Sequence, residues 1–292
     1  MKTRRVHTYG SGGHSIEYSI AGSGQESVLL LHGGHSNCYE TFSFGTLVEK
    51  GFTVVLPSRP GYGKTSKEIG GSLAEAGAHY IDLLNHLGIE KVHVLAVSAG
   101  GPSGIHLAAK YPDRVETLVL QSAVTKEWLG PEDALYRISR IIFHPRVEKV
   151  TWKLLSTFNN IFPNFVYRRM LPSFSTLSYE EAAGKMSEGD VEAVRKMNAR
   201  QSSGEGFLID LSQTGQITEQ YLQDISCPTL IIHSRNDASV PTDHPLHAHE
   251  NIPDSRLIMT DSWGHLIWLG KHAEEIDEAV VKFLKHPSER RV

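Results

Sequence analysis

The chain has 292 residues, of which 40% are hydrophobic and 21% charged, and its formal net charge is −4. Such a chain is long enough to bury a substantial core, as one large domain or as a core carrying an insertion. Lys and Arg are spread along the sequence and give none of the clustered basic face that a nucleic-acid partner requires.

In chain order, Val6 to Tyr9 and Ser15 to Ile20 predict a β-hairpin turned by Gly10-Ser11-Gly12-Gly13. Val28 to His32 is a short apolar run stopping at Gly33-Gly34, and Phe52 to Leu56 is another, ended by Pro57. Runs of that kind suit strands covered on both faces. Leu73 to Leu87 has helical spacing with Gly88 as its stop. Val92 to Ala96 predicts a strand, Gly100 to Lys110 a small-residue helix and Val115 to Leu120 a further strand. Strands alternating with helices imply βαβ units, a mostly parallel sheet and a ligand site at the carboxyl ends of the strands.

The alternation stops after Gln121-Ser122. Residues 125–224 contain no convincing strand and carry helical blocks at Asp133 to Phe143, Val147 to Phe158 and Tyr179 to Met197, punctuated by Pro163, Pro172 and Ser202-Ser203-Gly204. They are expected to form a helical cap, with residues 1–124 and 225–292 as the core. The sheet pattern resumes with strands at Pro228 to His233 and Ser255 to Met259, and Ala273 to Leu284 closes the chain as an amphipathic helix.

Ser98 lies between a strand and a helix in Ala96-Val97-Ser98-Ala99-Gly100. A turn sharp enough to expose a nucleophile there needs tiny residues two places either side, which Ala96 and Gly100 supply. The motif alone is equally compatible with an ordinary serine cap. A serine nucleophile needs a base, and the base an orienting carboxylate. Asp237 and His265 each follow a strand, and the order Ser98, Asp237, His265 is that of one triad fold among several. Activity resting on a neutral imidazole is expected to fall in acid. His32-Gly33-Gly34-His35 directly follows a strand, where a backbone N–H donor for an oxyanion is needed; His32 itself reads as a tie within the loop.

With these residues in place, the chain resembles the α/β-hydrolase superfamily over nearly its whole length, with a helical cap between strands six and seven of an eight-stranded, mostly parallel sheet. Within it the chain looks like the carboxylesterase, lactonase and carbon–carbon hydrolase branch. The motif Pro60-Gly61-Tyr62-Gly63-Lys64-Thr65-Ser66 is similar to the family's glycine-rich loop after strand four, while Ala96 departs from the usual glycine. The resemblance implies catalytic roles for Ser98, Asp237 and His265 and an oxyanion hole formed by Gly34 and Ala99. It implies cleavage of an ester-type bond in a small or medium apolar substrate, with no metal or organic cofactor. Carbon–carbon cleavage is the alternative, although Leu266 stands where that branch usually has an aromatic residue. A slow-turnover signal-binding receptor that keeps the triad is another. Trp128, Phe143 and Leu266 are expected substrate contacts. Trp152, Phe158, Phe162, Phe165 and Tyr167 are expected mainly to pack the cap onto the core.

Other clusters read as bystanders. Gly61 to Thr65 lacks the spacing of a phosphate loop, because Ser58 stands where a glycine is required. His244, His247 and His249 match no zinc motif and read as a solvated helix. Asp210 and Asp261 are rival triad acids, one inside the insertion and the other too near His265 in sequence. Cys38 and Cys227 fit two reduced thiols. No signal peptide or membrane span is evident, so the expected setting is cytoplasmic, with a small-molecule substrate, no nucleic acid and a monomer or homodimer.

Overall fold

The computed structural model describes residues 4–130, 132, 136–138, 141, 143, 144 and 146–289. The expected helix at Asp133 to Phe143 falls largely outside these residues. In chain order come β1 (Arg5–Ser11), β2 (His14–Ala21), β3 (Ser27–Leu31), α1 (Phe44–Glu49), β4 (Thr53–Pro57) and α2 (Leu73–His86). There follow β5 (Val92–Val97), α3 (Gly101–Lys110) and β6 (Val115–Gln121). Between β6 and β7 lie α4 (Glu148–Ile161), α5 (Pro163–Phe174), α6 (Tyr179–Lys185), α7 (Asp190–Arg200), α8 (Gly206–Gln213) and α9 (Glu219–Gln223). The chain ends with β7 (Thr229–Ser234), α10 (Asp243–Asn251), β8 (Ser255–Thr260) and α11 (Ala273–Lys285). Among the described residues no helix is long and apolar enough to cross a membrane.

This is an α/β-hydrolase fold. The eight strands form one sheet in the order β1-β2-β4-β3-β5-β6-β7-β8. The β1–β2 and β2–β4 pairs are antiparallel and the others parallel. Alternation along the central strands divides the core between the two faces. Leu29, Val94, Leu118 and Ile231 pack on the side of α2, α3 and α10. Leu30, Leu95, Val119 and Ile232 pack on the side of α1 and α11. Ser72 caps α2 by accepting the Glu75 N–H, and Gly88 ends that turn at φ 70°.

The segment after β6 is less regular than the sequence suggests. The block read as one helix from Tyr179 is two, because a capping box at Ser178 starts α6 and Gly189, at φ 94°, resets the chain before α7. Pro163 and Pro172 do not interrupt a loop: Pro163 opens α5, where its missing N–H costs nothing, and Pro172 lies in its last turn. Ile217, Leu222 and Ile225 join the cluster that holds α2 and α3, so the end of this segment packs as core.

Candidate active site

The carboxyl ends of β5, β7 and β8 bring Ser98, Asp237 and His265 together. Ser98 begins the turn into α3 at φ 50°, a conformation side chains rarely adopt. The close packing around it fixes the choice of small residues. A Cβ on Gly100 would stand 2.6 Å from the Leu31 carbonyl oxygen, and one on Gly104 would stand 2.5 Å from Ala96 Cβ. Gly104 therefore leaves the room in which the Ala96 methyl sits.

His265 Nε2 lies 2.9 Å from Ser98 Oγ, and its Nδ1 lies 2.7 Å from Asp237 Oδ2. An ionised Asp237 accepts, so the proton sits on Nδ1 and the Nε2 lone pair faces the serine hydroxyl. Burial opposes the charge on Asp237. His265 and His233 outweigh it and hold the carboxyl well below the usual carboxylate range. Its other oxygen accepts the N–H groups of Ser239 (2.8 Å) and Val240 (2.9 Å).

The base is also fixed from outside its own loop. Ser122, itself at φ 46°, donates to the His265 carbonyl at 2.8 Å. The Phe174 carbonyl at the end of α5 accepts the His265 N–H at 2.8 Å and the Ala238 N–H at 3.3 Å. That carbonyl explains Gly264, where a Cβ would come within 2.4 Å of it. Gly264 is itself buried, and it is small because another segment passes against it.

Gly33 and Gly34 stand beside the serine. A Cβ on Gly33 would lie 3.1 Å from Ser98 Cβ, and one on Gly34 would lie 3.8 Å from Ala99 Cβ. The loop they belong to is held by buried polar groups. The His32 ring bonds to the Gly33 carbonyl at 2.7 Å and accepts the Arg59 N–H at 2.9 Å. Arg59 donates to the His32 carbonyl (2.6 Å) and the Gly33 carbonyl (3.2 Å). Its guanidinium forms a two-pronged ion pair with Asp210 of α8, which also accepts the Tyr62 hydroxyl at 2.6 Å. Burial works against the Arg59 charge, but Asp210 more than offsets it, so the guanidinium stays charged. Asp210 is therefore a support for the loop and lies apart from His265. Asp261, the other rival acid, is exposed and pairs with Lys185.

The cavity above Ser98 has a volume of about 530 Å³. Trp128, Phe143 and Leu266 line it with Phe207, Trp152 and Val97. Among its described lining residues there is no Lys or Arg, and Glu40 is the one carboxylate. The His35 ring packs against both Phe143 and Phe207, tilted to each, with ring centroids 4.2 Å and 4.1 Å away. Burial, then the nearby Arg59, push its imidazole down to about 3, so it is neutral. Its Nδ1 meets Ser203 Oγ at 2.7 Å, an oxygen that also accepts the Trp152 N–H. A larger hollow of about 950 Å³ lies beside β8 and α11, away from these groups.

Two sequence expectations change, and one functional residue had no sequence expectation at all. Of the insertion's aromatic residues, Tyr167 packs against Trp263, whereas Phe158, Phe162 and Phe165 are more than half exposed and neither pack nor roof the cavity. His244 is not solvated: it is buried and accepts the Thr125 N–H at 3.1 Å. Arg59 went unnoticed because its partner is 151 residues away; its only local signal is a charged residue wedged between a buried strand and Pro60-Gly61. Among the described residues no group of three His, Cys, Asp or Glu converges as metal ligands would.

Residues 26–271 match the family model of the alpha/beta hydrolase fold. The uncharacterized hydrolase YcgS of Bacillus subtilis is 55% identical over 282 residues, spanning 97% of this chain and 99% of that protein. A 2-hydroxy-6-oxononadienedioate/2-hydroxy-6-oxononatrienedioate hydrolase of Escherichia coli is 28% identical, over 93% of this chain and 91% of that one. Among solved structures, an alpha/beta hydrolase fold protein from Nakamurella multipartita superposes with a TM-score of 0.80 at 24% identity, covering 97% of this chain and all of that one. The enol-lactonase of Burkholderia xenovorans superposes at 0.73 with 19% identity, over 96% and 100% of the two chains. At these identities the two structures speak for the fold alone.

Proposed function

The chain belongs to the alpha/beta hydrolase fold family, and within it we propose a serine hydrolase that cleaves an ester-type bond of a small to medium apolar substrate through an acyl-enzyme. The observation that carries this reading is the unbroken hydrogen-bonded line from Asp237 through His265 to Ser98 Oγ at the floor of an apolar cavity. Ser98 Oγ attacks the substrate carbonyl carbon while its proton passes to His265 Nε2. The resulting oxyanion is met by the N–H groups of Gly34 and Ala99. The carbonyl re-forms, the leaving oxygen departs with the proton from His265, and the acyl group remains on Ser98. A water then gives a proton to His265 and attacks the ester, releasing the acid and restoring the serine. Asp237 holds the imidazole in the required tautomer throughout.

The insertion is read as a cap over this cavity, with its end drawn near Thr214, since the residues after it pack with α2 and α3. Carbon–carbon hydrolysis is the competing reading because relatives bearing that activity align along most of the chain. Their named substrates are dicarboxylates. Among the described lining residues a dianion would find no Lys or Arg, and the one carboxylate, Glu40, already holds Arg200 at 3.2 Å, which favours a neutral apolar substrate. The test is a panel of p-nitrophenyl esters of graded chain length, simple lactones and a vinylogous diketone dicarboxylate, run with the wild type and Ser98→Ala. Sustained ester or lactone turnover that vanishes in Ser98→Ala supports the reading. Preferred cleavage of the diketone, or undiminished activity of Ser98→Ala, overturns it.

A further inference from the structure

The helices over the cavity are apolar on the wrong side for a protein surface left in water. At about 100° per residue, Val150, Leu154, Phe158 and Ile161 of α4 share one arc of about 80°. Each is 55–61% exposed. The buried residues Glu148, Trp152 and Asn159 lie on the far side of the same helix. Phe165, four residues past the end of α4 in the following helix, is 63% exposed as well. A contiguous exposed apolar surface of this kind marks a contact surface.

The charge around it is as uneven. Between Tyr136 and Ser178 the sequence carries seven Lys and Arg against one Glu, in a chain whose net charge is −4. Arg146, Lys149, Lys153, Arg168 and Arg169 are exposed, with Arg168 also facing Glu180 at 3.8 Å. The single Glu148 is buried and accepts the Ser203 N–H at 3.1 Å. Lys149 and Lys153 border the apolar arc directly on one side.

We infer that the outer face of α4 and α5 docks on an anionic lipid surface, its apolar side chains entering the headgroup boundary and its Lys and Arg meeting the lipid charge. Charge selects this occupant. A second copy applied to the same face by a two-fold axis would set basic residues against basic residues, and a nucleic acid has no use for the apolar arc. The inner side of α4, through Thr151, Trp152 and Leu155, lines the cavity. Docking therefore brings the cavity to the lipid boundary, where apolar molecules concentrate.

The test is co-sedimentation with vesicles of equal parts phosphatidylcholine and phosphatidylglycerol, against vesicles of phosphatidylcholine alone. Thermal melts followed by circular dichroism check that each variant is folded. The wild type is expected to partition at least tenfold more strongly into the anionic vesicles and to be released by salt. Lys149→Gln/Lys153→Gln is expected to bind about thirtyfold more weakly. Leu154→Glu/Phe158→Glu is expected to stay in solution. Wild-type protein that ignores the anionic vesicles, or variants that partition like it, would overturn the inference. So would lipid-free self-association that Leu154→Glu/Phe158→Glu abolishes, since it assigns the face to a second copy.

Discussion

Replacing Asp210 by Ala tests whether the Arg59–Asp210 pair supports the His32-Gly33-Gly34 loop. Asp210 accepts two guanidinium hydrogen bonds and the Tyr62 hydroxyl, and both partners of the ion pair are almost completely buried. Truncation leaves a guanidinium in the interior with no counter-charge, which costs about 3–5 kcal/mol. With an unfolding entropy of about 2.1 cal/mol/K per residue, the midpoint should fall by about 5–8 °C for a chain of this size. Arg59 also donates to the His32 and Gly33 carbonyls, so the displaced guanidinium should loosen the loop beside Ser98. On the proposed mechanism the Gly34 N–H meets the transition-state oxyanion, so the loss should appear in kcat, by roughly 10–100-fold, with KM little changed. Calorimetry and steady-state kinetics on a chromogenic ester measure both. Arg59→Met/Asp210→Leu, which removes both charges, should recover much of the stability but not the rate. An Asp210→Ala protein with an unchanged midpoint and kcat would refute the reasoning.

Other outcomes follow from the same geometry. Ser98→Ala should lower kcat by about 10⁴-fold or more while leaving the circular dichroism spectrum intact. Ser122→Ala, which removes the hydrogen bond to the His265 carbonyl, should lower kcat severalfold with little effect on KM; a larger change in KM would argue against a role in placing the base. Gly264→Ala should be strongly destabilising, since its methyl meets the Phe174 carbonyl, and a melt within a degree of wild type would contradict that packing. His106 and His244 are both held down to about 4, chiefly by burial. Above pH 6.5 they are neutral whether folded or not. Between pH 6.5 and about 4 only the unfolded chain takes up their protons, so stability should fall by up to about 3 kcal/mol for each. Urea titrations across that range measure it, and Phe in place of His244 should flatten part of the slope.

What could be read from the sequence follows from how locally each feature is encoded. β3, β5, β6 and β7 announce themselves because strands covered on both faces are apolar along most of their length. Ser98, Asp237 and His265 were legible as candidates because each stands at a strand's end, where the fold delivers side chains to one place. The insertion was harder. Pro163 and Pro172 signal a break in any local reading, and α5 accommodates both at its ends. The role of Asp210 depends on a guanidinium 151 residues earlier, and no local pattern marks such a pair. Nor does spacing foretell that Phe158 faces outward, since α4 carries apolar residues on two sides, Trp152 buried on one and Val150, Leu154 and Phe158 exposed on the other.

The distance in sequence between Arg59 and Asp210 also orders the protein's assembly in time. A ribosome adding about 5–20 residues per second needs roughly 8–30 s to travel from one to the other. By the end of that interval the chain has gained strands β1 to β6 and the serine turn, but its Arg59 still has no counter-charge and so has reason to stay in water. The loop beside Ser98 therefore cannot settle until α8 arrives, and Asp237 and His265 follow later still. On the proposed mechanism, a nascent chain carries Ser98 for many seconds with nothing to activate it, and it gains the means to attack only after the helices between β6 and β7 have been made.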